Sequence, residues 1–168
     1  MILTMAARDS LLDELSNKLA KSEFAVTRDM ETKPYRLEIV ACKNAFGIFK
    51  GRMTCFIMMT TMDTANKERV IDFSTRSTRY ATDNGTMFLS TDPGNSFLIV
   101  PVVVSDTVGV DLRDWIKGAV FKKHWGTFEF PVVMCITERA AYYSQRTPLW
   151  GSAFYKSFRK FVVDLLRF

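Results

Sequence analysis

The amino-acid sequence predicts a mixed α+β domain, in which helices pack on a mostly antiparallel sheet of roughly six or seven strands. Two observations predict this class. Apolar residues recur at helical spacing near both ends and in the middle of the chain, and runs rich in Val, Ile, Phe and Met lie between turn residues. A length of 168 residues suits a single domain, spanning 1–168, with residues 1–6 as a loose tail.

Four segments show the helical spacing of apolar residues. The first helix is predicted over residues 10–21, where Ser10 is placed to cap it and leucines recur along one face. The remaining helices are predicted from Asp63 or Thr64 to about Asp83, from Asp111 to Gly118, and after Gly151 and Ser152 to the end of the chain.

Strands are predicted between these helices. Alternate residues from Tyr35 to Ala41 are expected to face one way. The run Phe97–Val104 is typical of a strand covered on both faces, but Pro101 predicts an edge, a bulge or an interrupted neighbour. A short strand is predicted to begin at Phe24 and to end before a turn at Met30–Lys33. Further strands are predicted at Arg52–Met62, Met87–Ser90, Thr127–Ile136 and Ala141–Ser144, with turns at Asn44–Gly51, Thr91–Asn95 and Pro148–Gly151.

Composition predicts a cytoplasmic globular protein. The longest apolar stretches, Phe97–Val104 and Phe130–Ile136, are much shorter than the roughly 20 residues that cross a bilayer, so no membrane partner is expected. Residues 1–10 lack the basic lead and the cleavage site of a secretory signal. Three cysteines without CxxC spacing predict buried free thiols in a reducing compartment: Cys42, Cys55 and Cys135.

Motifs of the common catalytic and cofactor sites are absent from the sequence, so no catalytic residue, metal ligand or cofactor is predicted. The single histidine, His124, lies in a Lys-Lys-His-Trp-Gly loop without a nucleophile elbow, and no glycine-rich phosphate loop occurs. Asp106, Asp111 and Asp114 match no calcium loop, and the last two are interpreted as residues at a helix start.

One acid, Glu129, lies inside a strongly apolar strand between Phe128 and Phe130. If it faces inward, it needs a cationic partner or a raised pKa, and such groups are enriched at functional sites. The favoured interpretation is that this face of the strand is open to water.

The predicted order of helix, three-stranded meander, helix and strand, over roughly residues 10–104, resembles the αβββαβ core of the restriction-endonuclease-like, PD-(D/E)xK nuclease fold. In that family the second strand carries an Asp and the third a (D/E)xK pair, whose carboxylates hold Mg²⁺ beside an activating Lys. Here the second strand offers Glu38 and Lys43, and the third has no acid before Asp63. The resemblance therefore implies an inactive relative, and no catalytic residue is carried over.

Aromatic and basic residues are interleaved towards the end of the chain, as on surfaces that bind single-stranded nucleic acid. In a competing interpretation, the aromatics are core residues and the cations cover them. The binding interpretation requires the cations to share a face with Arg69, Arg76 or Arg79. The candidate residues are Arg146, Trp150, Lys156, Arg159 and Lys160, with Tyr142, Tyr143 and Tyr155 as further aromatics.

The leading functional hypothesis is a non-enzymatic protein that acts through protein contacts and associates into a homo-oligomer. It depends on the absence of catalytic motifs and on an aromatic content of 13%, which is enough to leave an apolar patch outside the core. Nucleic-acid binding on an inactive nuclease-like scaffold is the alternative, and a net charge of +5 is compatible with it. An enzyme that uses Glu129 or His124 in a pocket is a third hypothesis.

Overall fold

A computed structural model describes residues 2–46, 52–88, 96–120, 123–124, 127–147 and 152–168. Four helices and eight strands lie in these ranges. The helices are α1 (Ile2–Lys21), α2 (Lys67–Phe88), α3 (Val110–Gly118) and α4 (Ser152–Leu166). The strands are β1 (Ala25–Glu31), β2 (Arg36–Phe46), β3 (Arg52–Thr61), β4 (Ser96–Ser105), β5 (Lys123–His124), β6 (Thr127–Glu129), β7 (Val132–Cys135) and β8 (Ala140–Tyr143).

The strands form one mixed sheet in the order β1-β2-β3-β4-β6-β5, with β7 also pairing with β4 and carrying β8. Strands β1, β2 and β3 make an antiparallel meander, and β5–β6 and β7–β8 are antiparallel as well. Strand β4 is parallel to β3, β6 and β7. The α+β class and the mixed sheet are therefore confirmed.

Helices cover both faces of this sheet because side chains alternate along the strands. On β3, Ile57 and Met59 pack in a cluster with α1 and α4, whereas Phe56 and Met58 pack in a second cluster with α2 and α3. The helix pair α1 and α4 therefore lies on one face, and the pair α2 and α3 lies on the other. This separation decides which surface residues can act together.

Strand β4 is covered on both faces and interrupted on one side, as its sequence predicts. Val100 and Val102 belong to the first cluster, and Ile99 and Val103 to the second. The neighbouring strand is divided into β6 and β7, which pair with the first and last parts of β4. The prediction of one continuous strand over Thr127–Ile136 is wrong at this point, where Pro131 lies opposite Pro101, which has no N–H to donate to the ladder.

Two helices are longer than predicted. Helix α1 begins at Ile2 rather than at Ser10, and its added first part carries Arg8, whose guanidinium contacts Asp63 and Asp106 outside the helix. Helix α2 begins at Lys67, later than the predicted start at Asp63 or Thr64, and continues to Phe88, so the prediction of a strand beginning at Met87 is wrong. A few residues after a long helix extend that helix more readily than they form a separate element, because adding a residue to an existing helix costs less free energy than forming a first turn.

The alternation predicted from Tyr35 to Ala41 holds only in its second half. Ile39 and Ala41 pack with the α1–α4 cluster, but Leu37 packs with the α2–α3 cluster. The side chains of β2 change face between Leu37 and Ile39, which pair with Met30 and Arg28 of β1. Asp29 lies between these two partners and has a φ of 56°. A residue in the left-handed region bends and twists its strand locally.

Some predicted features lie outside the described residues. They are the turn at Thr91–Asn95, the corner at Pro148–Gly151 and residues 47–51 of the predicted turn at Asn44–Gly51. The prediction of a turn is wrong for residues 44–46, which are part of β2.

Candidate ligand-binding site

A cavity of about 290 Å³ lies between α2 and the hairpin of β1 and β2. We call it the α2 pocket. Its floor is apolar, its walls are aromatic and hydroxylic, and its rim is charged. The lining residues are Thr32, Lys33, Tyr35, Leu37, Met58, Phe73, Arg76, Ser77, Arg79, Tyr80, Asp83 and Asn84.

Two tyrosines hold the hairpin against α2. The Tyr35 hydroxyl donates a 2.8 Å hydrogen bond to Oδ2 of Asp72, and its ring meets Phe73 edge-on at 5.3 Å between centroids. The Tyr80 hydroxyl lies 3.3 Å from Sδ of Met30 on β1 and donates to it. Each contact joins a residue of α2 to the hairpin, so the walls of the pocket are positioned by two separate elements.

Ser77 is among the residues that line the pocket, and its hydroxyl is buried without a hydrogen-bond partner in the described part of the chain. Ser77 is only 3% exposed. Burying an unbonded hydroxyl costs free energy, and most buried polar atoms in proteins are bonded. The hydroxyl is almost inaccessible to solvent, so a polar ligand atom can become its partner only when neighbouring side chains move aside.

Three cations and one carboxylate lie among the lining residues, which makes the rim positive. Arg76 Nε donates to both oxygens of Asp72, at 3.1 and 2.9 Å. Arg79 lies 3.8 Å from Asp83, with both side chains mostly exposed. Lys33 has no hydrogen bond or ion pair with any described residue. Lys33 and Arg79 are therefore accessible to an anion at the mouth of the pocket.

The pKa shifts of three groups at the pocket keep their protonation states fixed near neutral pH. Burial raises the pKa of both Tyr35 and Tyr80 above the ordinary value of 10.0, so their hydroxyls remain donors. Hydrogen bonds from Arg76 and Tyr35 lower the pKa of Asp72 below 3.8. The described lining residues include neither an imidazole nor a thiol, and their apolar, hydroxylic and charged groups can bind and orient a ligand.

The structure brings together some of the residues predicted to bind nucleic acid. Arg159 Nη2 donates to the carbonyl of Arg146 at 2.9 Å, and Lys156 and Lys160 are exposed on α4. Trp150 lies outside the described residues. The required clustering with Arg69, Arg76 or Arg79 does not occur, because those arginines lie on α2, across the sheet from α4.

The predicted stacking aromatics have other contacts. Tyr155 is 6% exposed, and its ring packs edge-on against Phe128 in the core. Tyr143 lies against Phe130, with 5.9 Å between ring centroids. The Tyr142 ring lies beneath the cations Arg113 and Lys117. These three rings belong to the packing of the fold, as the competing interpretation predicts.

Glu129 does not lie on an open face. Its Oε1 accepts a 2.8 Å hydrogen bond from Thr78 Oγ1, and its Oε2 accepts one of 3.1 Å from Ser74 Oγ. The favoured interpretation of this face as open to water is therefore wrong, because the small hydroxylic residues of α2 cover it. His124 lies in β5, and its side chain is outside the described part.

Within the described ranges, no group of three or more His, Cys, Asp and Glu side chains could hold a metal ion. Asp106 pairs with Arg8 at 3.2 Å, and Asp111 lies in the first turn of α3. On β2, Glu38 accepts from Thr61, and Lys43 contacts Glu23. The three cysteines are free and buried.

Comparison with protein-family models, curated proteins and solved structures finds no match to this chain. Among the described residues, no helix combines the length and the hydrophobicity that a bilayer crossing requires.

The sequence contained a signal for the α2 pocket that motif analysis did not use. Ser77 lies on the same helical stripe as Phe73 and Ala81, which are both buried. A hydroxyl in an apolar stripe predicts a buried polar atom, although only the tertiary structure shows whether it has a partner. The contribution of Tyr35 depends on hairpin packing and has no comparable local signal.

Proposed function

We propose that this chain is a non-enzymatic binding protein whose α2 pocket takes a small organic anion with an aromatic or other planar apolar part. The observation that carries this proposal is a cavity with an apolar floor and a positive rim, beside which the buried Ser77 hydroxyl has no partner among the described residues. Small-molecule sites are typically concave and mostly apolar, with a few polar groups that orient the ligand.

Each layer of the pocket suits one part of such a ligand. Leu37, Met58 and Phe73 form an apolar floor. A planar ring that packs on this floor buries apolar surface, which favours binding. Ser77 satisfies one polar atom of the ring, and Lys33 and Arg79 attract the anionic group at the mouth. The volume of about 290 Å³ is close to the lower limit of typical ligand sites, so the ligand is small.

The fluorescent anion 8-anilinonaphthalene-1-sulfonate tests the proposal, because it combines fused aromatic rings with a sulfonate. We expect saturable fluorescence enhancement by the folded protein, and its loss in Ser77→Leu, which fills the cavity. The matched control is Thr75→Leu, an exposed position on the same helix. Equal enhancement by Ser77→Leu and the parent protein would contradict the proposal.

A charge variant tests the rim separately from the cavity. We expect Lys33→Gln with Arg79→Gln to weaken binding of the dye by about five- to thirtyfold, the equivalent of about 1–2 kcal/mol. The control removes two exposed cations from α4 on the opposite face, in Lys156→Gln with Lys160→Gln. Equal weakening by both pairs would show a general effect of net charge instead of a site.

Self-association stays a prediction. Large apolar side chains are exposed at Met5, Ile71, Val110 and Val120, and these residues lie on separate helices or loops of the described chain. The solution mass measured by light scattering at several concentrations decides the question, since a homo-oligomer gives a multiple of 19.3 kDa.

The restriction-endonuclease-like resemblance also stays a prediction, together with its implication of lost chemistry. The order of α1, the β1–β3 meander, α2 and β4 agrees with the predicted order of elements. Incubation with plasmid DNA and Mg²⁺ is expected to give no cleavage. Cleavage above a blank preparation would contradict the implied inactivity.

A further inference from the structure

A second concave surface lies between α1 and α4, on the face of the sheet opposite the α2 pocket. Lys18 Nζ donates to the carbonyl of Arg167 at 3.1 Å, and Phe24 stacks on Phe161 with 6.4 Å between ring centroids. The end of α1 and the turn after it therefore lie beside the second half of α4. Between them is an open groove of about 450 Å³, the α1–α4 groove, lined by Lys18, Lys21, Glu23, Lys43, Phe161 and Asp164 among others.

Two of the three lysines that line this groove, Lys18 and Lys21, have no ion pair with a described residue, whereas Lys43 pairs with Glu23. Lys18 contacts a neutral carbonyl, and Lys21 is exposed without an ion pair to any described residue. Lys43 donates to the carbonyl of Ser22 at 2.7 Å and to Glu23 at 3.0 Å, which fixes its ammonium group at the edge of the groove. Three lysines thus face two carboxylates, and the groove is positive.

Helix α4 extends the positive surface beyond the groove. Asp164 lines the groove, and Lys160 and Lys156 lie one and two turns before it on the same exposed ridge of the helix. Neither lysine has an ion pair with a described residue. The cations therefore follow a line along α4 rather than forming a single spot, which suits a ligand with repeated negative charges.

An aromatic ring lies in the same groove. Phe161 is partly buried against the core and lines the groove with its remaining surface. Its ring rests on Phe24 at an interplanar angle of 25°, and the Lys43 ammonium lies 5.9 Å from the Phe24 ring centre. A fixed aromatic ring beside a line of cations is the arrangement that stacks bases of single-stranded nucleic acid while lysines contact the phosphates.

We propose that the α1–α4 groove binds single-stranded nucleic acid, with Lys18, Lys21, Lys43 and Lys160 contacting phosphates and Phe161 stacking on a base. This activity is separate from ligand binding in the α2 pocket. An anionic bilayer fits less well, because Met5 is the one large apolar side chain among the described residues of α1 and α4 that is clearly exposed. A positive groove also follows a flexible strand more closely than it follows a flat surface.

Fluorescence anisotropy with a labelled oligodeoxythymidine of about 12 nucleotides tests this proposal. We expect binding at low salt, and at least about tenfold weaker binding by Lys21→Glu with Lys160→Glu. The salt dependence should also become shallower, with the slope of log K against log salt falling by about 1.4, since each phosphate contact on a single strand contributes about 0.7. Phe161→Leu should weaken binding to this oligonucleotide more than binding to a duplex of the same length.

The matched control is Lys33→Glu with Arg79→Glu, which changes the net charge by the same amount on the opposite face of the sheet. Its affinity for the oligonucleotide should stay within about threefold of that of the parent protein. No binding at low salt overturns the proposal, and so does equal weakening by both double variants. If the protein binds phosphatidylserine vesicles but not the oligonucleotide, and the double variant Lys21→Glu with Lys160→Glu loses vesicle binding, the surface is a membrane-binding site instead.

Discussion

Pro101 of β4 lies opposite Pro131, the residue that separates β6 from β7. The register pairs Ile99 with Glu129 on one side of this point and Val102 with Val132 on the other, with no residue inserted. The nitrogen of Pro101 faces this neighbour and carries no N–H, so the ladder between the two strands lacks a bond at this point. Phe130 bridges the break by donating its N–H to the carbonyl of Ile99 at 2.8 Å.

Proline is expected to be tolerated in β4 only at this break. Val103→Pro should lower the free energy of unfolding by about 3 kcal/mol or more, because Val103 is paired with both neighbouring strands and its N–H bonds to one of them. Pro101→Ala should change it by no more than about 1 kcal/mol. Urea unfolding followed by circular dichroism measures both, and similar losses in the two variants would contradict this account.

Asp72 is expected to make the stability of the protein depend on pH. Its pKa is lowered in the folded state, chiefly by Arg76 and then by Tyr35, so its contribution is present above 3.8 and is lost as pH falls through the folded value. The parent protein should therefore be more stable than Asp72→Asn at about pH 6, and the difference should shrink below pH 3.8. Asp83→Asn, whose ion pair is long and exposed, serves as control and should change stability little. Urea unfolding across this pH range checks the prediction, and a difference that grows at low pH would have the wrong sign.

The hydroxyl of Thr78 is expected to stabilise the fold through Glu129. Thr78→Val removes a 2.8 Å hydrogen bond to a partly buried carboxylate, and should lower the free energy of unfolding by about 1–3 kcal/mol. Thr82→Val is the matched control, because Thr82 is exposed one turn later and its hydroxyl donates only to carbonyls of its own helix. Equal effects in thermal or urea unfolding would mean that Glu129 does not depend on this contact.

The three cysteines are expected to react slowly in the native protein. All three are free and buried, and burial raises the pKa of Cys42 to about 11 and that of Cys55 still further. Since the thiolate is the reactive form, labelling with 5,5′-dithiobis(2-nitrobenzoate) near neutral pH should be slow without denaturant and should reach all three thiols in denaturant. Rapid labelling of Cys42 or Cys55 in the native protein would contradict their burial.

Much of the fold could be predicted from local patterns. The bounds of β3, β4 and α3 follow from apolar runs and from a Gly-terminated helix, and the structure confirms them within one or two residues. The start of α1 could not be predicted, because Ser10 is an ordinary capping residue and the contacts of Arg8 with Asp63 and Asp106 are distant in sequence.

The candidate site was less accessible to sequence analysis than the fold. The sequence predicts basic binding residues on α4 and Tyr155 as a stacking aromatic. In the structure Tyr155 is a core residue, and Phe161 is the aromatic that lines the α1–α4 groove. Spacing within one helix shows which residues share a face. It does not show which face the rest of the protein covers.

By itself, the sequence determined the α+β class, the interrupted neighbour of β4 and the burial of three free thiols, because periodicity, missing donors and apolar surroundings are local properties. Only the tertiary structure decided that α2 and α4 lie on opposite faces of the sheet, and that Ser77 is buried without a partner. Both depend on contacts between residues far apart in the chain, and the free energy of such contacts comes from packing that no single segment contains.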